Sequence, residues 1–232
     1  MRIAITGTNR GIGLELTRQY LARGDTVDAT VRFPSQATAL KQLESPSQGR
    51  LRIHTCDVTS DEGVADFARE LARVDAAGVD LLINNAGVMG KMSSLEDLDL
   101  ADLHAVFDVN AVGALRVTRA VLPLILKSRR KLIVHMTSRM GSIDDNRSGG
   151  AYAYRMSKAA LNMACRSMAV DLADRGIITA VFHPGWVQTD MGGLHAPTPV
   201  DVSARGLIAQ FDALTKEQSG RFWSYEGNEI PW

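Results

Sequence analysis

Short apolar runs alternate with longer stretches in which apolar residues recur every three or four positions. The runs Arg2–Thr6, Thr26–Val31, Leu51–Cys56, Leu81–Asn84, Leu132–Thr137, Ile177–His183 and Arg221–Ser224 read as strands. Helical periodicity covers Ile12–Arg23, Ala37–Glu44, Asp61–Val74, Leu100–Leu126, Ala151–Asp174 and Pro199–Leu214. Strands that alternate with helices predict βαβ units, joined by right-handed crossovers. The expectation is an α/β, doubly wound parallel sheet of about seven strands with helices on both faces. No Pro/Gly/Ser-rich linker or internal repeat interrupts the pattern, so residues 1–232 are expected to form a single domain.

Composition adds mostly exclusions. Apolar residues make up 45% of the 232 and charged ones 22%, ordinary values for a globular protein. The formal net charge is zero, which gives no footprint for a nucleic-acid partner or an anionic membrane. The one basic run, Lys127 to Lys131, falls where a helix should end, and there cations suit the macrodipole. Cys56 and Cys165 form no redox or metal motif and are expected to be reduced and buried. The five histidines show no ligand spacing, so no metal site is expected. No apolar run is long enough to span a bilayer, and Arg2–Thr6 leads straight into a glycine turn without a leader pattern. The expected location is the cytoplasm.

That turn, GTNRGIG, places Gly7, Gly11 and Gly13 between the first strand and the first helix. Glycines let the backbone turn tightly and approach a pyrophosphate, whose charge then rests on the helix N-terminus. The spacing differs from G-x-G-x-x-G, and tight strand-to-helix turns need glycine anyway. Its place in the first βα unit, at the crevice of such sheets, favours nucleotide binding. An acidic residue at the end of the second strand would bind a ribose 2′-hydroxyl; here that end reads Thr30-Val31-Arg32, and Asp28 lies too early. Arg32 and Arg10 can converge on a 2′-phosphate, which favours NADP over NAD; the plain alternative is two surface arginines.

The chemistry is concentrated in Ser138 and the run Tyr154-Arg-Met-Ser-Lys158. Four residues along a helix put Lys158 on the face of Tyr154. A nearby ammonium favours the phenolate, and a serine hydroxyl can hold an oxygen on which charge develops. Such a pair also arises by chance on many helices. Tyr152 falls on a different helix face from Lys158 and is set aside. Asn110 stands inside a helical pattern, where asparagine is mildly unfavourable.

TGTNRGIG, CDV, NNAG, Asn110, Ser138, YRMSK and HPGWVQTDM, in that order over Met1 to about Met191, resemble the motifs of the classical short-chain dehydrogenase/reductase family. The closing SGRFWSYEGNEIPW and the SRMGSI…YAYRMSKAALNM block look like its carbonyl-reductase-like branch, which includes C-factor-type proteins. The resemblance implies a single NADP-binding Rossmann domain with a short substrate loop near 190–200. It makes Tyr154 the proton donor, and Lys158 the residue that lowers its pKa and holds the nicotinamide ribose. Ser138 would position the carbonyl, and Asn110 would hold a water linked to Lys158. Gly7, Asn9, Arg10, Gly11, Ile12, Gly13 and Arg32 would hold the phosphates. Asp57, Val58, Asn84, Ala86 and Gly87 would contact the adenosine half and the central ribose. Pro184, Gly185, Val187 and Thr189 would flank the nicotinamide.

Fifteen residues separate Ser138 from Tyr154, more than the family usually has. The extra length lies in Ile143–Gly150 and is expected to form a polar loop at the pocket rim. Met89, Met140, Trp186 and Leu194 are read either as pocket lining or as core packing. The leading expectation is an NADPH-dependent reductase of a small, apolar aldehyde or ketone. Its alternatives are an NADP-linked alcohol dehydrogenase and a nucleotide-bound signalling or regulatory protein of C-factor type. A homo-oligomer, dimer or tetramer, is expected from the family's habit of pairing through the helices that contain Asn110 and Tyr154.

Overall fold

The computed structural model describes residues 1–74 and 77–232. Seven strands form one parallel sheet in the order β3-β2-β1-β4-β5-β6-β7. They are β1 (Arg2–Ile5), β2 (Thr26–Val31), β3 (Leu51–Thr55), β4 (Leu81–Asn84), β5 (Leu132–Met136), β6 (Ile178–His183) and β7 (Phe222–Ser224). Side chains alternate between the faces of a strand, and here both faces are apolar. Ile3 and Ile5 join one buried cluster, whereas Ala4 joins the other.

On the first face lie α1 (Gly11–Arg23), the short α2 (Thr38–Lys41) and α8 (Val200–Ala213). Leu16 and Tyr20 of α1 pack there with Leu207 and Phe211, whose ring meets Phe182 edge-on at 4.9 Å. On the opposite face lie α4 (Asp61–Val74), α6 (Gly113–Ile125) and α7 (Tyr152–Asp171). Phe67 and Leu71, Val117 and Val121, and Cys165 and Met168 form that layer. Cys56 and Cys165 are both free and buried. Among the described residues no helix is long and apolar enough to cross a membrane.

Two helical expectations need correction. The stretch 37–44 is not one helix. A 3-10 turn at Pro34–Gln36 precedes α2, and α3 (Glu44–Ser47) is a separate helical turn. Only Ala37, Leu40 and Ser47 are buried across this stretch, and Pro46 has no N–H to give to a continuing ladder. The stretch 100–126 is helical throughout but not uniformly α. Between α5 (Leu100–Phe107) and α6 the chain makes a π-helical turn at Asp108–Val112. One residue more per turn leaves the 3.6-residue apolar period almost intact on either side, so the pattern alone does not reveal it.

β1 pairs with β2 on one side and with β4 on the other. The chain therefore leaves β1 for one half of the sheet and later returns to build the other. Loops diverge beyond the carboxyl ends of β1 and β4, and a crevice opens between them.

Candidate active site

The crevice is a cleft of about 640 Å³, walled by the turn after β1, the ends of β2 and β3, the loop after β4, α7 and the segment after β6. Its floor depends on close approach of backbone to backbone. A Cβ on Gly13 would lie 2.3 Å from the carbonyl oxygen of Gly7, so only glycine lets α1 begin this near the turn. No side chain caps α1, and its first turn contains no acidic residue. Its leading N–H groups therefore face the cleft with their positive end unneutralised, which suits a diphosphate.

Gly7, Asn9, Arg10, Gly11, Ile12, Gly13, Arg32, Asp57, Val58, Ala86 and Gly87 all line this cleft. Arg32 follows β2, and its guanidinium lies 5.2 Å from the ring centre of Phe33. Burial works against the Asp57 carboxylate, but its hydrogen bonds from the Thr59 N–H (2.9 Å) and hydroxyl (2.7 Å) outweigh it. With Arg32 and Arg116 adding to this, its pKa falls below the usual range. Asp28, set aside as a ribose ligand, is fully buried and accepts from Arg2 Nε at 2.8 Å. Arg10 is already engaged: its Nη1 meets Asp190 Oδ2 at 2.8 Å.

The loop after β4 divides its work. Asn84 does not face the cleft: it is buried at the end of β4, where its amide donates to Thr118 Oγ1 at 2.9 Å. Asn85 lines the cleft instead. Its amide nitrogen bridges the carbonyls of Thr6 and Gly7 at 2.9 Å each, which ties β4 to the glycine turn. Its place beside Asn84 in NNAG was the available signal, but spacing alone does not say which asparagine turns inward.

Asn110 sits in the π-helical turn, 1% exposed, and its side-chain amide makes three hydrogen bonds. Oδ1 accepts from Val88 N at 2.8 Å, and Nδ2 donates to Val88 O at 2.9 Å and Ser157 Oγ at 3.0 Å. The residue thus pins the loop after β4 to α7 through Ser157, a partner that sequence reasoning missed. A Cβ on Gly87 would lie 3.1 Å from Asn110 Oδ1 and 3.4 Å from Lys158 Nζ, so the three groups share one corner.

Tyr154 and Lys158 enter the cleft from α7, one turn apart and both buried. Burial raises the Tyr154 pKa, and a hydrogen bond with Ser138 only partly offsets this, so the phenol holds its proton at neutral pH. Burial lowers Lys158 to about 8. Lys158 Nζ lies 5.6 Å from the centre of the Tyr154 ring. Ser138 is brought to the pair at the end of β5, where its Oγ also accepts from Met140 N at 3.2 Å. The loop 143–150 bulges outward, fixed by Asp144 N to Trp232 O (2.9 Å) and by Ala151 N to Ser93 O (3.1 Å).

Pro184 and Thr189 line the cleft; Gly185 and Val187 do not. Val187 is buried and bridges to Thr198, which closes the 186–198 segment on itself. Of the four residues read as pocket or core, only Met89 lines the cleft, and Met191 joins it. Met140 faces a neighbouring groove formed by 92–96 and 148–152. Trp186 is 58% exposed, folded onto its own turn by Nε1 to Gly192 O at 2.7 Å, and Leu194 is 92% exposed. Among the described residues no group of three or more His, Cys, Asp or Glu side chains is arranged to hold a metal.

Known proteins resemble this chain in sequence and in fold. The short chain dehydrogenase family profile matches residues 1–198. The C-signal protein of Myxococcus xanthus is 55% identical over 154 residues, 66% of this chain and 93% of that protein. A 1-hydroxy-2-glutathionyl-2-methyl-3-butene dehydrogenase of Rhodococcus sp. strain AD45 is 36% identical over 236 residues, 99% of each chain. The NADPH-bound carbonyl reductase from chicken fatty liver superposes with a TM-score of 0.94 at 33% identity, covering 100% of this chain and 98% of that one. The chain belongs to the short-chain dehydrogenase family.

Proposed function

We propose that the protein uses NADPH to reduce the carbonyl group of a small, apolar aldehyde or ketone, with Tyr154 as general acid. One observation carries this reading. A buried phenol that keeps its proton and a buried ammonium share a cleft with an uncapped helix N-terminus. The NADPH-bound chicken reductase supports the choice of cofactor.

When bound, NADPH supplies the hydride. The free N–H groups of α1 and the Gly7 turn hold the diphosphate, Arg32 and Arg10 hold the 2′-phosphate, and Asp57 accepts from the adenine amino group. Pro184 and Thr189 flank the nicotinamide. The Ser138 hydroxyl orients the substrate oxygen, and Tyr154 gives its proton to that oxygen. Lys158, by its charge, stabilises the phenolate that remains. Asn110 fixes the loop against which Lys158 rests.

The oxidative direction has the Rhodococcus dehydrogenase in its favour. It needs Tyr154 as phenolate, and burial opposes that form. Reduction is therefore the favoured direction near neutral pH. A purely regulatory role, suggested by the C-signal relative, would leave Ser138, Tyr154 and Lys158 without a task.

The test is NADPH consumption across a panel of aldehydes and ketones by the wild type and by Tyr154→Phe. The substitution should lower kcat/KM roughly 10²–10⁴-fold while NADPH still binds. Turnover that survives it would sink the mechanism. NADPH binding without turnover on any carbonyl would favour the regulatory role. Arg32→Ala should narrow the difference in affinity between NADPH and NADH.

A further inference from the structure

We propose that Asp190 tunes cofactor selectivity by holding Arg10, so that a 2′-phosphate must take this arginine away from a carboxylate. The inference rests on the NADP reading above and adds a residue to it. Arg10 stands in the glycine turn and Asp190 after β6, 180 positions apart, yet Arg10 Nη1 meets Asp190 Oδ2 at 2.8 Å. Both side chains line the cleft. The same two segments touch a second time, because a Cβ on Gly11 would lie 3.4 Å from Thr189 Cγ2. The pair thus spans the cleft from one wall to the other.

The two arginines at the cleft differ in how they are held. Arg32 is in no ion pair among the described residues, and its charge is felt by Asp57. Arg10 is bound, but weakly: the side chains of the pair are 70% and 72% exposed. An exposed ion pair contributes little in water, whereas a dianionic phosphate offers a guanidinium a stronger, bidentate partner. Exchange is therefore downhill for a nucleotide with a 2′-phosphate. One without it leaves Arg10 on Asp190. The carboxylate lowers NADPH affinity by what it costs to free Arg10, and leaves NADH affinity alone.

The experiment measures the dissociation constants of NADPH and NADH by nucleotide fluorescence for the wild type, Asp190→Asn, Arg10→Ala and the double variant. Asp190→Asn should tighten NADPH about threefold, within the range of an exposed pair, and leave NADH unchanged. The gain should vanish in the Arg10→Ala background. Equal tightening of both nucleotides, or a gain that persists without Arg10, would mean that Asp190 acts only as a general negative charge and would overturn the proposal. An unchanged NADPH affinity in Asp190→Asn, with the wild type still preferring NADPH, would overturn this proposal alone. Equal wild-type affinity for the two nucleotides would overturn the NADP reading and this inference with it.

Discussion

Lys158 Nζ donates to the main-chain carbonyl of Met136 at 2.8 Å, so the ammonium is tied to the end of β5. Burial brings its pKa down to about 8. Lys158 is therefore charged below that value and neutral above it. Tyr154 is shifted upward, so the first proton lost from the pair as pH rises belongs to the lysine. Reductive kcat/KM should be level near neutrality and fall above pH of about 8, towards tenfold per unit. Lys158→Arg, with a cation that does not titrate, should lose this break even where its absolute rate is lower. A pH–rate profile from 6 to 10 decides it; a wild-type curve with no break near 8 would remove Lys158 from the proposed role.

Asn110 is the second test, because its roles in packing and in the site coincide. Asn110→Leu would strip both part-buried hydrogen bonds from the main chain of Val88 and one from the buried Ser157. Leaving such groups unsatisfied should cost roughly 3 kcal/mol, read as a lower urea midpoint with unchanged slope. The loosened loop after β4 should also raise KM for NADPH. A loss below about 1 kcal/mol would show that the Val88 main chain finds other partners.

What was legible in the sequence follows from the range of each interaction. Apolar runs such as Leu81–Asn84 and Leu132–Met136 announce buried strands locally, so the sheet could be anticipated. Tyr154 and Lys158 are related by a helical turn, which is also local. The π-helical turn left one trace, an asparagine at a position where α-helix disfavours it. The inward turn of Asn84 depends on Thr118 and His135, residues of α6 and β5 that no motif ties to it. The hold of Asp190 on Arg10 is beyond any local pattern, since it appears only once β1 and β6 are placed in one sheet.

Far from the cleft, His54 offers a stability test. Its Nε2 lies 3.0 Å from Asp28 Oδ1 and its Nδ1 2.7 Å from Glu70 Oε2, so both ring nitrogens face carboxylates. Only the imidazolium can donate to both. Burial opposes that charge, but the bonds to Asp28 and Glu70 outweigh it and raise the pKa. A folded pKa above the unfolded one gives stability that is fully present below the unfolded value of about 6.5 and is lost as pH rises through the folded value. Asp28 is shifted downward. Its burial penalty is outweighed by His54 and Arg2, so its contribution is lost only in acid, as pH falls through its folded pKa. His135 and His183 are buried neutral, at about 3 and about 4. They add stability as pH rises; that gain still has its last part to come at the unfolded value of about 6.5, where the unfolded histidine is half protonated, and levels off above it. Among these groups the decline above that pH therefore belongs to His54. Across urea midpoints at pH 6.5, 7.5 and 8.5 the gap between the wild type and His54→Leu should narrow as pH rises, the variant starting lower because Glu70 and Asp28 lose their shared donor. The pH dependence of Lys158, Cys56 and Cys165 is common to both proteins and cancels in the comparison. Parallel slopes in the two proteins would refute an imidazolium at His54.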